Sequence, residues 1–274
     1  MEFKTISGIE IPVLGLGTWH MGGDMSPDYS EDEKYIRAIK YAISKGITHI
    51  DTAEIYSGGH AEELVGEAIR QPAEKTHDRK ELFITSKVWP SHLSYNKILE
   101  ACENSLRRLG TDYIDLYLIH WPNPLASMKN AMAAMGELVK NKKIRNIGVS
   151  NFSIRQLANA QKYTKNKIIT NQVKYSLASR NPERGLLEYC QKEDIFLTAY
   201  TPLAKGTLKR SKILENVGKK YGKTPIQVAL RWLIEKPNVI TIPKASSKEH
   251  IDEILGSLGW KLKKVDQEYL SQQF

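Results

Sequence analysis

Asp51 and Tyr56 lie five positions apart in the stretch DTAEIY, directly after the apolar run GITHI at 46–50. A tyrosine has an ordinary pKa of about 10, so it does not exchange its proton easily at neutral pH. A neighbouring ammonium favours the phenolate, and a carboxylate behind that ammonium keeps it charged and oriented. Lys87 ends a later apolar run and His120 lies near the end of another, and a histidine can share a proton or polarise a carbonyl oxygen. Together the four residues predict a proton donor suited to carbonyl reduction.

Short apolar runs alternate with helix-periodic segments along the chain. The runs are continuously apolar, which is typical of strands covered on both faces of a parallel sheet. They lie at 13–19, 46–50, 82–87, 115–121, 144–150, 167–173, 195–200 and 238–243. Amphipathic segments lie near 31–45, 60–70, 96–110, 127–141, 153–163, 182–193, 224–235 and 247–256.

These alternations, about eight in number, imply a parallel sheet with right-handed crossovers. At 274 residues, closure into a (β/α)8 TIM barrel is favoured over an open doubly wound sheet. The glycine fingerprint of an open dinucleotide-binding sheet is absent, because His20 stands at its third position after Gly15 and Gly17. We therefore predict one (β/α)8 barrel domain over 1–274, preceded by an N-terminal β-hairpin that turns at Ser7 and Gly8.

Polar or aromatic side chains stand at the carboxyl ends of most predicted strands. Each has an ordinary explanation by itself, such as a helix cap for Asp51 or a buried, hydrogen-bonded side chain for His120. In a barrel, however, all of these positions meet at the face where active sites are built. They are Asp51, Lys87, His120, Ser150, Asn151, Gln172, Tyr200 and Lys244.

The net charge of +9 is spread along the chain, and no aromatic RNA-binding motif or basic DNA-reading helix is present. We therefore expect phosphorylated small molecules rather than nucleic acid as partners. Cys102 and Cys190 suit small buried side chains rather than a disulfide framework. The spacing of the histidines, including His49, His60, His77 and His92, predicts no metal site.

No apolar run approaches the length of a membrane helix, and the N-terminal segment MEFKTISGIEIP lacks the apolar region of a signal peptide. We expect a cytoplasmic protein without a membrane partner. We see no self-association motif and expect a monomer.

The whole chain resembles the aldo-keto reductases. Eight segments match landmarks of that family in order: VLGLGTW, DTAEIY, ITSKVW, YIDLYLIHWP, IRNIGVSNF, NQVKYS, AYTPLAKG and TIPKASSKEHIDE. The resemblance implies a (β/α)8 barrel that reduces aldehydes and ketones with a nicotinamide cofactor. It also implies a catalytic tetrad of Asp51, Tyr56, Lys87 and His120, with Tyr56 as the acid.

The resemblance implies roles for further residues along a bound cofactor. Ser150, Asn151 and Gln172 match the residues that hold the nicotinamide carboxamide, and Tyr200 matches the platform under the nicotinamide ring. The positions that match the pyrophosphate loop and the adenosine site are Leu203, Lys205, Lys244, Ser246, His250 and Glu253. The aromatic positions that match the wall of the substrate pocket are Trp19, Trp89 and Trp121.

Two departures from the family pattern affect the expected cofactor and pocket. His250 replaces an arginine that stacks on phosphate, and Ile254 replaces an asparagine. Because Lys244 is retained, we expect NADPH to be preferred, with NADH as the alternative. Little chain follows Trp260 to form the long C-terminal loop of many relatives, so we expect an open site that accepts a broad range of substrates.

Two other functions use the same residues. A barrel of this kind could be a non-catalytic nucleotide-binding regulatory subunit, because a fold does not determine a function. A lyase that forms a Schiff base through Lys87 is the second alternative, but it requires a deprotonated lysine beside Asp51.

Overall fold

The computed structural model of the protein describes residues 1–70 and 78–274. An antiparallel hairpin, β1 (Phe3–Ile6) and β2 (Ile9–Pro12), opens the chain. Its turn consists of Ser7 and Gly8, both with positive φ, of 50° and 77°. The predicted hairpin and its turn are therefore confirmed.

Eight parallel strands follow in the described residues and form one sheet in sequential order. They are β3 (Leu16–Gly17), β4 (His49–Asp51), β5 (Phe83–Val88), β6 (Ile114–Ile119), β7 (Ile144–Ser150), β8 (Ile168–Lys174), β9 (Phe196–Tyr200) and β10 (Val239–Thr241). The two edges of the sheet meet where the Gly15 N–H donates to the Thr241 carbonyl at 2.8 Å and the Thr241 N–H donates to the Val13 carbonyl at 2.9 Å. The sheet is thus closed into the predicted (β/α)8 barrel.

Helices surround this barrel. Those of the described residues are α1 (Asp32–Ser44), α2 (His60–Arg70), α3 (Tyr95–Leu109), α4 (Met128–Lys140), α5 (Ile154–Gln161), α6 (Leu186–Lys192), α7 (Lys212–Lys219), α8 (Pro225–Ile234), α9 (Lys248–Leu255) and α10 (Lys264–Gln273). Side-chain oxygens that cap their first turns belong to Ser127, Ser153, Ser211, Thr224 and Ser247. Gly110 ends α3 in the left-handed conformation, as its position in the sequence predicts.

All eight predicted helices are present, but α7 and α10 were not predicted. Helix α7 has only eight residues, in a lysine-rich segment. Helix α10 buries Asp266 and Leu270, so it carries little apolar periodicity that a sequence pattern could reveal. The C-terminal segment therefore contributes a helix that contacts α7.

The hairpin covers the amino-terminal end of the barrel. Ile6 and Ile11 pack against the inward-facing side chains of Leu118, Phe196 and Ile240. Because the eight strands are parallel, the polar residues at their carboxyl ends line the opposite mouth.

Lys4 attaches the hairpin to the barrel. Its Nζ donates to the carbonyl oxygens of Ile234, Lys236 and Val239 at 2.6, 2.6 and 2.7 Å. A lysine ammonium has three donors, and all three are used here. The connection between α8 and β10 is thereby held to the hairpin.

We predict that Lys4→Met lowers the free energy of unfolding by about 2–3 kcal/mol, because it leaves three carbonyl oxygens without this donor. Urea unfolding followed by circular dichroism measures the change. The exposed Lys165 provides a matched control, and Lys165→Met should change stability by less than about 0.5 kcal/mol. Equal urea midpoints for the two variants would show that the Lys4 contacts do not stabilise the fold.

Candidate active site

A buried ion pair forms the centre of the barrel mouth. In the parallel pairing of β4 and β5, Asp51 lies opposite Thr85, and Lys87 follows two residues later on the same face of β5. Lys87 Nζ donates to Asp51 Oδ1 at 2.6 Å and to the Thr52 carbonyl oxygen at 2.7 Å. Both charged side chains are almost fully buried.

Tyr56 is the third group that Lys87 contacts. Lys87 Nζ lies 3.3 Å from the Tyr56 hydroxyl and 4.8 Å from the centroid of its ring. Tyr56 begins a short 3-10 turn in which Ser57 and Gly58 adopt positive φ. The Ser57 hydroxyl donates to the Met21 carbonyl oxygen at 2.9 Å, which ties this loop to the one after β3. The phenol is therefore held beside the ammonium by local backbone geometry.

Burial and the neighbouring charges shift the pKa values of Lys87 and Tyr56 in opposite directions. Burial alone would lower the pKa of Lys87, but the Asp51 carboxylate and Tyr56 raise it above its usual value, so the ammonium is retained. Burial raises the pKa of Tyr56, and this effect exceeds the lowering by Lys87. The expected shift toward phenolate is thus outweighed by burial, and the tyrosine keeps its proton.

His120 lies directly after β6 with 8% of its surface exposed. Its ring is edge-on to Tyr56, with centroids 5.6 Å apart, and edge-on to Trp89, with centroids 5.2 Å apart. Burial, with a further contribution from Lys87, lowers the pKa of His120 to about 2. The imidazole is therefore neutral at physiological pH.

A chain of hydrogen bonds extends from Asp51 of the ion pair across the mouth. Gln172 Nε2 donates to Asp51 Oδ2 at 2.7 Å, and the Ser150 hydroxyl donates to the Gln172 carbonyl oxygen at 2.9 Å. Asn151 Nδ2 donates to Ser150 Oγ at 2.9 Å, and the half-buried Tyr200 donates its hydroxyl to Asn151 Oδ1 at 3.0 Å. The structure thus brings together the four residues that the family resemblance assigns to a nicotinamide site.

Two lysines from separate loops reach the segment of Trp19 and His20. Lys205 Nζ lies 5.6 Å from the Trp19 ring centroid, and Lys244 Nζ donates to the His20 carbonyl oxygen at 3.0 Å. Lys205 adopts a positive φ of 55° in a tight turn after β9. Leu203, by contrast, is half-buried and packs against the core.

The residues predicted for the adenosine end lie on or beside α9. His250 is exposed, and its backbone N–H donates to Ser247 Oγ at 3.3 Å. Ser246 and Glu253 are half-buried. Ile254 is 3% exposed and belongs to the core, so its side chain is not available to a ligand.

Of the three predicted pocket tryptophans, the structure places Trp89 against His120 in the mouth. Trp19 and Trp121 are 42% and 43% exposed. Sequence reasoning missed Glu54, whose carboxylate accepts the Trp89 backbone N–H. The only sequence signal for Glu54 is its position inside DTAEIY.

Metal-ligand groups and membrane-spanning helices can both be sought in the described residues. Within residues 1–70 and 78–274, no group of three or more His, Cys, Asp or Glu side chains could hold a metal ion, and His77 lies outside that part of the chain. None of the helices in the described ranges is both long and apolar enough to cross a bilayer.

Comparisons with known proteins agree on one family. The model of the aldo/keto reductase family matches residues 13–272. The chain is 39% identical over 251 residues to a methylglyoxal reductase of Escherichia coli K12, covering 89% of this chain and 84% of that protein. It is also 39% identical over 247 residues to a glyoxal reductase of Bacillus subtilis, covering 90% of this chain and 83% of that protein.

Solved structures give the same result. A thermostable aldo-keto reductase crystallised with the inhibitor epalrestat superposes with a TM-score of 0.95, at 48% identity and with 99% of each chain covered. An aldo-keto reductase of Klebsiella pneumoniae in complex with NADPH superposes with a TM-score of 0.89, at 37% identity, covering 100% of this chain and 95% of that one. From its sequence, its barrel and these relatives, the chain belongs to the aldo/keto reductase family of oxidoreductases.

Proposed function

We propose that this protein reduces small carbonyl compounds, with short 2-oxoaldehydes as its principal substrates, using NADPH as hydride donor and Tyr56 as proton donor. The observation that carries the proposal is the buried contact of Asp51, Lys87 and Tyr56 beside a neutral His120. The names of the methylglyoxal and glyoxal reductases among the relatives support the substrate class. The NADPH complex of a related structure supports the cofactor.

In the proposed reaction the substrate carbonyl oxygen lies against the Tyr56 hydroxyl and receives its proton. Burial keeps Tyr56 protonated until a more basic oxygen develops in front of it. The Lys87 ammonium, at 3.3 Å, then stabilises the phenolate that remains. Asp51 keeps Lys87 charged and in place throughout.

His120 has a different role in this proposal. A neutral imidazole can donate one hydrogen bond, and it carries no charge that would compete with Lys87. Because the His120 ring lies edge-on to Tyr56, it would also be beside the substrate oxygen that Tyr56 protonates in this proposal. We therefore assign His120 to orientation and polarisation of the carbonyl rather than to proton supply.

The residues of the mouth fit a nicotinamide nucleotide. Bound there, the nucleotide would supply a hydride to the carbonyl carbon. Amide and hydroxyl groups of Ser150, Asn151 and Gln172 would hold its carboxamide, and Tyr200 presents an aromatic ring at the same place. Lys205 and Lys244 provide ammonium groups, which bind phosphates as point charges.

Recognition of the 2′-phosphate rests mainly on Lys244 in this proposal. His250 is exposed near the start of α9 but lacks the permanent charge of arginine, and Ile254 is buried. We therefore expect a preference for NADPH that is weaker than an arginine would give.

The raised pKa of Lys87 disfavours the lyase alternative, which needs a free amine.

Tyr56→Phe should lower kcat for methylglyoxal reduction by about a hundredfold to ten-thousandfold, because it removes the proton donor. NADPH affinity, measured by tryptophan fluorescence, should change by less than about twofold, since the phenol is not among the proposed nucleotide contacts. Tyr163→Phe, at an exposed tyrosine, is the matched control. Turnover by Tyr56→Phe within about threefold of the unsubstituted protein would refute the assignment.

The pH dependence of reduction should lack a transition near the ordinary histidine pKa. Because the pKa of His120 lies at about 2 and burial raises that of Tyr56 beyond its ordinary alkaline value, neither group changes its charge between about pH 6 and pH 8. We expect kcat at saturating substrate to be constant over this range and to fall in alkali, where Tyr56 loses its proton. A change of log kcat with unit slope around about pH 6.5 would indicate a titrating histidine.

His250→Arg should tighten NADPH binding about tenfold while leaving NADH binding unchanged, because only NADPH carries the 2′-phosphate. Fluorescence titration with both nucleotides measures this. Asn141→Arg, which adds the same charge at the exposed C-terminal end of α4, controls for net charge. Equal gains for both nucleotides, or for both variants, would place the 2′-phosphate away from His250.

A further inference from the structure

Glu54 lies in the same loop as Asp51 and Tyr56, but its carboxylate bonds to a different part of the mouth. The side chain is 9% exposed. Its Oε1 accepts the backbone N–H of Trp89 at 2.5 Å and lies 3.0 Å from His92 Nδ1. One carboxylate oxygen therefore holds both ends of the turn that follows β5.

That turn presents the Trp89 ring to the mouth. Trp89 directly precedes the short 3-10 turn Pro90–His92. The Pro90 carbonyl oxygen accepts a hydrogen bond from Asn123 Nδ2 at 3.0 Å, so the loop after β6 holds the turn from its other side. Between these two attachments the Trp89 ring meets His120 at 84°, with centroids 5.2 Å apart.

The side-chain contacts of Glu54 are separate from those that set the proton donor, although its backbone N–H donates to the Lys87 carbonyl oxygen at 3.3 Å. Lys87 uses its donors on Asp51, the Thr52 carbonyl oxygen and Tyr56. A change at Glu54 can therefore move Trp89 without removing a partner of Lys87. A buried carboxylate also requires its hydrogen bonds, which ties the position of the turn to Glu54.

We propose that Glu54 is a positioning residue for substrate specificity, which fixes Trp89 against His120 and so determines how tightly small carbonyl substrates bind. This inference rests on the proposed function and on the match of Trp89 to the wall of the substrate pocket in the family. It assigns Glu54 to substrate binding and leaves proton transfer to Tyr56.

The kinetic test compares Glu54→Ala with Glu54→Gln. The alanine variant should raise KM for methylglyoxal about tenfold and leave kcat within about threefold, because a binding contact and not the proton donor is lost. The glutamine variant retains an acceptor oxygen and should restore KM to within about twofold of the unsubstituted protein. His92→Ala, which removes one of the two contacts at a side chain that is 44% exposed, should give an intermediate KM and provides a second variant if Glu54→Ala does not fold.

A second readout does not depend on turnover. The protein contains five tryptophans, so labelling with 5-fluorotryptophan should give five ¹⁹F resonances, and Trp89→Phe identifies that of Trp89. In Glu54→Ala the Trp89 resonance should shift or broaden while the others keep their positions. Glu63→Ala, which removes another glutamate–histidine contact of 2.8 Å, to His60 on α2, should leave the Trp89 resonance and KM unchanged.

The two readouts separate the possible failures. An unperturbed Trp89 resonance in Glu54→Ala, or a fall in kcat without a change in KM, overturns the positioning role. A rise in KM in Glu54→Gln as large as that in Glu54→Ala also overturns the positioning role. If the unsubstituted protein reduces no carbonyl compound with either nucleotide, the proposed function fails, and the ¹⁹F spectra still decide whether Glu54 positions Trp89.

Discussion

The buried contact between Lys87 and Asp51 is the constraint on which the rest of the mouth depends. Removing two charges from water costs several kcal/mol per ion unless each lone pair and proton finds a partner. Here Lys87 donates to Asp51, to the Thr52 carbonyl oxygen and to Tyr56, while Gln172 donates to the second oxygen of Asp51. The same contacts that compensate the burial of the pair also fix the phenol and link β4 and β5 to β8 across the barrel.

Comparison of Lys87 with Lys4 shows why one lysine suits chemistry and the other stability. Lys4 at the amino-terminal end uses its three donors on three backbone carbonyl oxygens, none of which can exchange a proton. Lys87 uses one donor on a phenol, whose protonation it can influence. The two ends of the barrel therefore differ in composition. The hairpin fills the amino-terminal end with apolar side chains, and polar side chains line the carboxyl-terminal end.

The sequence predicts most of this arrangement because it depends on local patterns. Continuous apolar runs identify the strands, and the polar residue after each run identifies the mouth; Asp51, Lys87 and His120 were all located in this way. Strand β3 shows the limit, since the run at 13–19 forms a strand only at Leu16–Gly17 and closes the barrel through single contacts at Leu14 and Gly15. No local pattern encodes such contacts between distant parts of the chain.

Properties set by burial could not be predicted from residue types. The ammonium beside Tyr56 indicated a phenolate, whereas enclosure of the ring by the folded barrel raises its pKa instead. Ile254 replaces an asparagine of the family's cofactor site, and the structure shows that its side chain packs in the core. Both outcomes depend on neighbours contributed by other strands and helices.

The loop DTAEIY directs its polar side chains into two separate sets of contacts. Asp51 and Tyr56 both meet Lys87, whereas Glu54, between them in sequence, bonds to Trp89 and His92. A substitution in the turn after β5 can therefore alter the wall of the mouth while the partners of Lys87 stay in place. Under the proposed function, the side chains of one six-residue segment would allow the substrate range to change without a change at Tyr56, which is a property expected of a barrel whose loops vary around a constant reaction.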